Sequence, residues 1–223
     1  SNGWSVGRGG TILHTTNGGT TWDLLTYFDT IAALTGVYAI NAQVCWVVGG
    51  DTLAIKTTDG GTTWNKQPLD VPFYGIWWPN SVLFTDSLTG WIGGTNYPYA
   101  DSDFILKTTD GGISWQKLYY GGDTVDGRYF SYGCTGYRLT GVDNEHVWAT
   151  CHQCYILRTT DGIHWHSTFN PRCGNYKITD VDFPTMDIGL AAGDGPAGTG
   201  VISKSTDGGE TCSGGNIVFG CIL

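Results

Sequence analysis

The octapeptide Thr57-Thr58-Asp59-Gly60-Gly61-Thr62-Thr63-Trp64 decides the fold, because the chain carries it five times. It stands earlier as Thr15-Thr16-Asn17-Gly18-Gly19-Thr20-Thr21-Trp22 and later as Thr108-Thr109-Asp110-Gly111-Gly112-Ile113-Ser114-Trp115. A copy one residue shorter follows as Thr159-Thr160-Asp161-Gly162-Ile163-His164-Trp165, and the last is Ser205-Thr206-Asp207-Gly208-Gly209-Glu210-Thr211-Cys212. The Asn or Asp positions are 42, 51, 51 and 46 residues apart. The chemistry is that of a turn: a short side-chain oxygen accepts backbone N–H groups within its own loop, and glycine tolerates left-handed backbone.

Each copy follows a short branched-apolar run: Ile12-Leu13, Ala54-Ile55, Ile105-Leu106, Ile156-Leu157 and Val201-Ile202. Upstream of that lies a second run marked by Trp4, Trp46, Trp91, Trp148 and Leu190. A third opens each later unit, at 35–40, 81–84, 139–142 and 178–183, and the segment after the turn supplies a fourth. These runs are short, bounded by Gly, Asn or Asp, and lack a helical period. Four short antiparallel strands per unit of about 45 residues indicate a propeller blade. A β-sandwich also has many short strands, but does not explain a turn that returns in register five times.

The expected fold is all-β, a single five-bladed β-propeller over residues 1–223. Blade one spans 1–28 plus 216–223, and the later blades span 33–70, 76–120, 137–168 and 176–212. The chain begins at the second strand of its first unit. The apolar piece Ile217-Val218-Phe219-Gly220-Cys221-Ile222-Leu223 is therefore expected to supply the inner strand of blade one and close the ring. A Cys212–Cys221 disulfide would pin that closure; two buried thiols are the alternative.

Composition excludes several classes. Charged residues make only 14 % of the chain, yet 10 Trp, 12 Tyr and 8 Phe give enough apolar surface for a core. A net charge of −9 disfavours a nucleic-acid partner, and no apolar run is long enough to insert in a membrane. No secretory leader precedes Ser1-Asn2-Gly3, as expected of a mature or trimmed form. Seven cysteines against one methionine point to a secreted protein or another oxidising compartment, with at least one thiol unpaired within the chain.

The pattern Ser/Thr-x-Asp-x-Gly-x-Thr-Trp resembles the Asp-box, or BNR repeat, of sialidases and related propellers. With the Trp-hydrophobe-Gly and Ile-Leu-x-Thr runs, the whole chain is most similar to the Asp-box propellers related to photosystem II stability and assembly factors. The resemblance implies that Asn17, Asp59, Asp110, Asp161 and Asp207 are structural, on the face away from a ligand site, and it allows an assembly-scaffold role. Five calcium loops are the alternative, but each box offers one carboxylate where calcium takes six to eight oxygens. The short fourth box and the fifth, where Cys212 replaces Trp, are expected to deviate from the others.

The opposite face carries the long connections. These are Thr95 to Asp103, Tyr119 to Thr135 and Gly193 to Gly200, beside Phe73, Tyr74, Trp77 and Trp78. Rings next to carboxylates suit a saccharide: Tyr97, Tyr99, Tyr129, Tyr132 and Trp78 would stack on sugar faces, and Asp101, Asp103 and Arg128 would bond hydroxyls. The same rings would also serve to cover the ends of blades. For glycoside hydrolysis, Asp101, Asp103, Asp123, Asp126 and Asp194 are the candidate carboxylates. They sit in loops rather than on strand ends, and five scattered arginines do not make a sialidase triad.

Cys134, Cys151, Cys154 and Cys173 converge on the blade-four hairpin and its flanking crossovers. They read either as two disulfides or as a four-thiolate zinc site. Cys45 is the expected free, buried seventh thiol. His146, His152, His164 and His166 fall in blade four but are separated by strand and turn placement. No cofactor is required; calcium or zinc are the ions these ligand sets would take. The expected function is binding of a glycan or glycosylated surface, with a glycoside hydrolase or a polypeptide-binding scaffold as alternatives.

Overall fold

The structure is a computed structural model, and it describes residues 1–26, 33–69, 76–97, 103–120, 124–125, 128–129, 138–150, 155–169, 177–194, 200–211 and 213–215. Among them are five antiparallel sheets, as the repeat predicts. The first has three strands, β1 (Gly3–Val6), β2 (Thr11–Thr15) and β3 (Asp23–Thr26). The second has four: β4 (Leu34–Ala39), β5 (Cys45–Gly49), β6 (Leu53–Thr57) and β7 (Asn65–Lys66). The third is β8 (Ile76–Phe84), β9 (Gly90–Tyr97), β10 (Asp103–Thr108) and β11 (Gln116–Tyr120). A small hairpin follows, β12 (Thr124–Val125) with β13 (Arg128–Tyr129), inside the connection read from sequence as a loop. The fourth sheet is β14 (Leu139–Gly141), β15 (Val147–Thr150), β16 (Tyr155–Thr159) and β17 (Trp165–Phe169). The fifth is β18 (Lys177–Asp182), β19 (Gly189–Asp194), β20 (Gly200–Ser205) and β21 (Ser213–Gly215). Every sheet keeps its strands in chain order.

The turns show why threonine or serine opens each box. The Thr57 hydroxyl donates to Asp59 Oδ1 at 2.8 Å and accepts the Gly61 N–H at 2.9 Å. Asp59 in turn accepts the Thr63 N–H and hydroxyl at 2.8 and 2.7 Å. Thr15, Thr108 and Ser205 repeat the arrangement with Asn17, Asp110 and Asp207. The shortened fourth box differs as expected: Asp161 accepts the N–H groups of Ile163 and His164, both at 2.8 Å. The fifth box does not. Asp207 still accepts the Thr211 N–H at 3.0 Å and Gly209 still donates to Ser205 Oγ at 2.7 Å. The expected deviation there is corrected, because these bonds come from positions before Cys212.

Such turns stabilise the ionised carboxylate. Hydrogen bonds from Ser114 first, and then from Thr108, hold Asp110 down to about 2, and those from Thr211 first hold Asp207 to about 2. A depressed folded value means that stability is complete above the ordinary carboxylate range and is lost as pH falls toward 2. The melting temperature is therefore expected to stay level from pH 7 to about 5 and to fall between about 4 and 2. The Asp110→Asn variant, which resembles the natural Asn17 box, should show a shallower fall. An equally steep fall in that variant would contradict the assignment.

The blades lock to one another by a repeated device. The ring of Trp115 meets Trp46 of the preceding blade edge-on at 5.8 Å, and Trp64 meets Trp4 in the same way at 5.7 Å. Across the seams from the second blade to the fifth, the penultimate residue of the third strand reaches forward. Lys56 Nζ donates to Gly111 O at 3.0 Å, Lys107 Nζ to Gly162 O at 2.8 Å, and Arg158 Nη1 to Gly208 O at 3.3 Å. Each lysine also lies over the ring beside it, Lys56 on Trp46 and Lys107 on Trp91, about 5 Å from the centroid. In the first blade His14 takes this position and stacks on Trp4 at 4.0 Å.

Cys45 is free and fully buried, as expected, and burial pushes its thiol up to about 12. Thiolate is the reactive form. Native protein should therefore leave Cys45 unmodified by iodoacetamide at pH 8, and denatured protein should not. Rapid labelling of Cys45 in the native state would contradict its burial. Cys134, Cys151, Cys154, Cys173, Cys212 and Cys221 lie outside the described residues, as does the closing segment 216–223.

Candidate functional site

Five strands, one from each sheet, surround a central cavity of about 750 Å³: β1, β4, β8, β14 and β18. The inner strands are cross-braced by polar side chains. Ser81 Oγ accepts the Leu139 N–H at 3.1 Å, tying β8 to β14, and the Thr35 hydroxyl donates to Pro79 O at 2.6 Å, tying β4 to β8. The walls are thus held without filling the channel.

Among the described residues that line it, charge comes from the fourth and fifth blades. Arg138 directly precedes β14, where its N–H donates to Thr150 Oγ1 at 3.1 Å and its carbonyl accepts the Thr150 N–H at 3.0 Å. The side chain reaches the neighbouring inner strand, with Nε 3.3 Å from Asp180 Oδ1 of β18. Two residues on, Asp182 accepts the Thr140 hydroxyl at 3.2 Å. Both partners of the Arg138–Asp180 pair are well exposed, so the pair contributes at most about 1 kcal/mol to stability. Its backbone is fixed while its guanidinium remains open to solvent. That arrangement suits exchange of Asp180 for a ligand carboxylate or carbonyl.

Arg138 stands at the end of the channel remote from the box turns, because β14 runs from there toward the turn at 142–146. Trp78 lies near the same end of the neighbouring β8. Its ring covers Gly50, where a Cβ would approach it to 3.3 Å, and it remains 38 % exposed. An exposed indole over glycine and an open guanidinium thus stand toward the same end of their strands.

The other residues singled out from sequence are placed less fully. Tyr97, Asp103, Arg128 and Tyr129 are described as strand backbone, with no account of their side chains. Asp194 ends β19 and is exposed. Tyr99, Asp101, Asp123, Asp126 and Tyr132 lie outside the described residues, as do Phe73, Tyr74 and His152. His146 and His164 each face a carboxylate in their own turn, Asp143 at 2.9 Å and Asp161 at 2.6 Å. Among the described residues no three His, Cys, Asp or Glu side chains form a metal-binding group.

The sequence reading missed Arg138, Asp180 and Asp182. Their signal was positional: a charged residue on an innermost strand, where the other blades place Thr, Gly, Ser or Val, faces the axis. Arg158, at the repeat position of Lys56 and Lys107, joins blade four to blade five through Gly208 and Glu210, the latter at 2.6 Å.

Residues 27–128 match a family model described as Photosynthesis system II assembly factor YCF48. No curated protein matches the chain in sequence. Among solved structures, YCF48 bound to D1 peptide is similar with a TM-score of 0.60 at 19 % identity, over 96 % of this chain and 76 % of that one. The GH74 xyloglucanase from Xanthomonas campestris is similar at 0.53 and 12 % identity, over 96 % of this chain and 43 % of its own. An ancestral GH74 enzyme reaches 0.61 at 15 % identity, over 92 % and 30 %. At these identities the likeness is one of fold. The chain is a BNR-type β-propeller that resembles YCF48.

Proposed function

We propose that this propeller is a polypeptide-binding protein, an interaction or assembly scaffold, and that it receives its ligand at the Arg138 end of the central channel. The observation that carries the reading is the open guanidinium of Arg138 on a braced strand, paired with Asp180 in the central cavity. Arg138 would bond a carboxylate or main-chain carbonyl of the ligand, and Trp78 would pack against an apolar side chain or the peptide plane. Support comes from the match to the YCF48 assembly-factor family and from the solved YCF48 that holds a peptide.

This reading replaces the glycan-binding expectation, for which neither the described residues nor the comparisons offer support. The two GH74 enzymes share the fold, and the chain spans less than half of either. The oxidising compartment expected from cysteine usage stays part of the proposal, and an intact mass under non-reducing conditions tests it.

Screening the purified chain against a library of peptides should return saturable binders. Arg138→Glu is then expected to weaken them by about tenfold or more, since it reverses the charge that the ligand meets. Trp78→Ala should weaken them less. Binding indifferent to both changes would remove the channel mouth from the account.

A further inference from the structure

Five of the ten large hydrophobic side chains exposed among the described residues stand at the end of the strands that carries the box turns. Leu88, Ile113, Ile163, Met186 and Ile188 are each 45 % exposed or more. Leu88, Met186 and Ile188 belong to the hairpin turns after β8 and β18, and Ile113 and Ile163 to the box turns of blades three and four. Each hairpin turn is tied to the box turn of its own blade. The N–H groups of Gly111, Gly162 and Gly208 donate to Leu88 O, Glu145 O and Asp187 O at 2.9, 3.0 and 2.9 Å. Lys107 and Arg158 carry the connection to the next blade through Gly162 O and Gly208 O. The Asn144 amide also donates to Asp86 Oδ2 at 2.7 Å, between the turns of blades three and four. These turns form one braced sector, remote from Arg138.

Polar residues hold the same places in the earlier blades. Thr20 and Thr62 take the position of Ile113, and Gln43 that of Leu88, since its carbonyl accepts the Gly60 N–H in the same way at 3.0 Å. Exposed apolar side chains gathered on one face and rimmed by charge mark an interaction surface. The rim shows the kind of partner that fits. The turns 85–89, 110–114, 142–146, 161–164, 184–188 and 207–211 hold eight carboxylates and no lysine or arginine. Of the cations that reach them from the strands, Arg158 is paired with Glu210 and Lys107 lies near Asp161 and Glu145, which leaves the face negative. Between the hairpin turns of blades three and four lies a shallow groove of about 460 Å³, with Asp86, Asp143 and Glu145 on its walls. Leu88 adjoins it in the blade-three turn, and on the other side Gly162, next to Ile163, bonds Glu145 O. The groove shares no residue with the central cavity.

We propose that this face is a second docking surface, for a basic polypeptide segment that seats a lysine or arginine in the groove and lays apolar side chains on Leu88, Ile113 and Ile163. Charge complementarity selects that occupant. A second copy of the chain would bring a face of like charge, and an anionic membrane or nucleic acid would be repelled. The apolar side chains give the contact its area, and the carboxylates give it its preference for basic segments. The surface does not rest on the channel mouth, so either site stands if the other fails.

The test uses the full chain and a fluorescein-labelled peptide of leucine and lysine, with leucine–glutamate and serine–lysine peptides of equal length as controls. Saturable binding of the leucine–lysine peptide is expected, falling as salt is raised, and both controls should bind at least about tenfold less. Leu88→Ser combined with Ile113→Ser removes apolar surface that the core does not use, and Glu145→Lys reverses a charge in the groove. Each change should weaken binding by about tenfold or more while melting stays near that of the parent. Asp23→Lys makes the same change of charge at an exposed site of blade one, and it should leave binding unchanged, as should Arg138→Glu. Absence of saturable binding, or equal losses in Glu145→Lys and Asp23→Lys, would overturn the inference. A loss in Arg138→Glu would do so too, by placing the peptide at the channel mouth. So would a dimer of the chain alone that the double serine variant dissolves, because a second copy would then hold the face.

Discussion

Gly112→Ala is expected to cost at least about 3 kcal/mol. Two penalties act together. The residue has φ +88°, a left-handed conformation that L side chains rarely adopt. A Cβ there would also overlap the six-membered ring of Trp46, which is fully buried between Phe84 and Trp115 and has nowhere to move. Gly111 is the internal control. Its φ of +72° is equally left-handed, but the space is wider, with Ser87 O 3.3 Å away. Gly111→Ala should therefore cost only about 1 kcal/mol, the backbone penalty alone. Chemical unfolding of the pair measures the difference, and equal losses would refute the role given to the Trp46 contact.

Trp148→Ala is the second. Trp148 is fully enclosed, stacks on Phe183 and donates its indole N–H to Gly208 O at 2.8 Å. Truncation removes a large buried ring, opens a cavity between blades four and five and leaves Gly208 O with Arg158 alone among these donors. A loss of about 3–5 kcal/mol is expected. Trp148→Phe keeps most of the stacking and loses the hydrogen bond, so it should cost less, about 1–2 kcal/mol. At Trp46 the indole N–H has no partner among the described residues, and Trp46→Phe should be milder still. Unfolding transitions of the three variants in one denaturant series check the order. A Trp148→Phe loss as large as that of the alanine variant would place the energy in the hydrogen bond rather than in the ring.

The blades were legible in the sequence because both of their signals are local. A box turn needs its Asp, its hydroxyl and its glycines within eight residues, and the strands around it alternate with period two. Even there the hydroxyl of Thr57 was overlooked, although it organises the turn as much as Asp59 does. The forward reach of Lys56, Lys107 and Arg158 was readable in principle, since they share one repeat position. Their partner, though, is the backbone of the next blade, which composition does not reveal.

The candidate site was least legible. Arg138 and Asp180 are 42 residues apart and meet only because the inner strands of two blades face one channel. The aromatic loop residues drew attention by their chemistry, whereas Arg138 was one of five scattered arginines.

The most direct test of the proposed function is a side-by-side binding measurement of the non-reduced protein on a peptide array and a glycan array, with Arg138→Glu and a denatured sample as controls. The account predicts saturable binding to peptides that falls by about tenfold or more in Arg138→Glu, and no glycan above the denatured control. Saturable binding to one class of sugar, unaffected by Arg138→Glu and with no peptide retained, would contradict it.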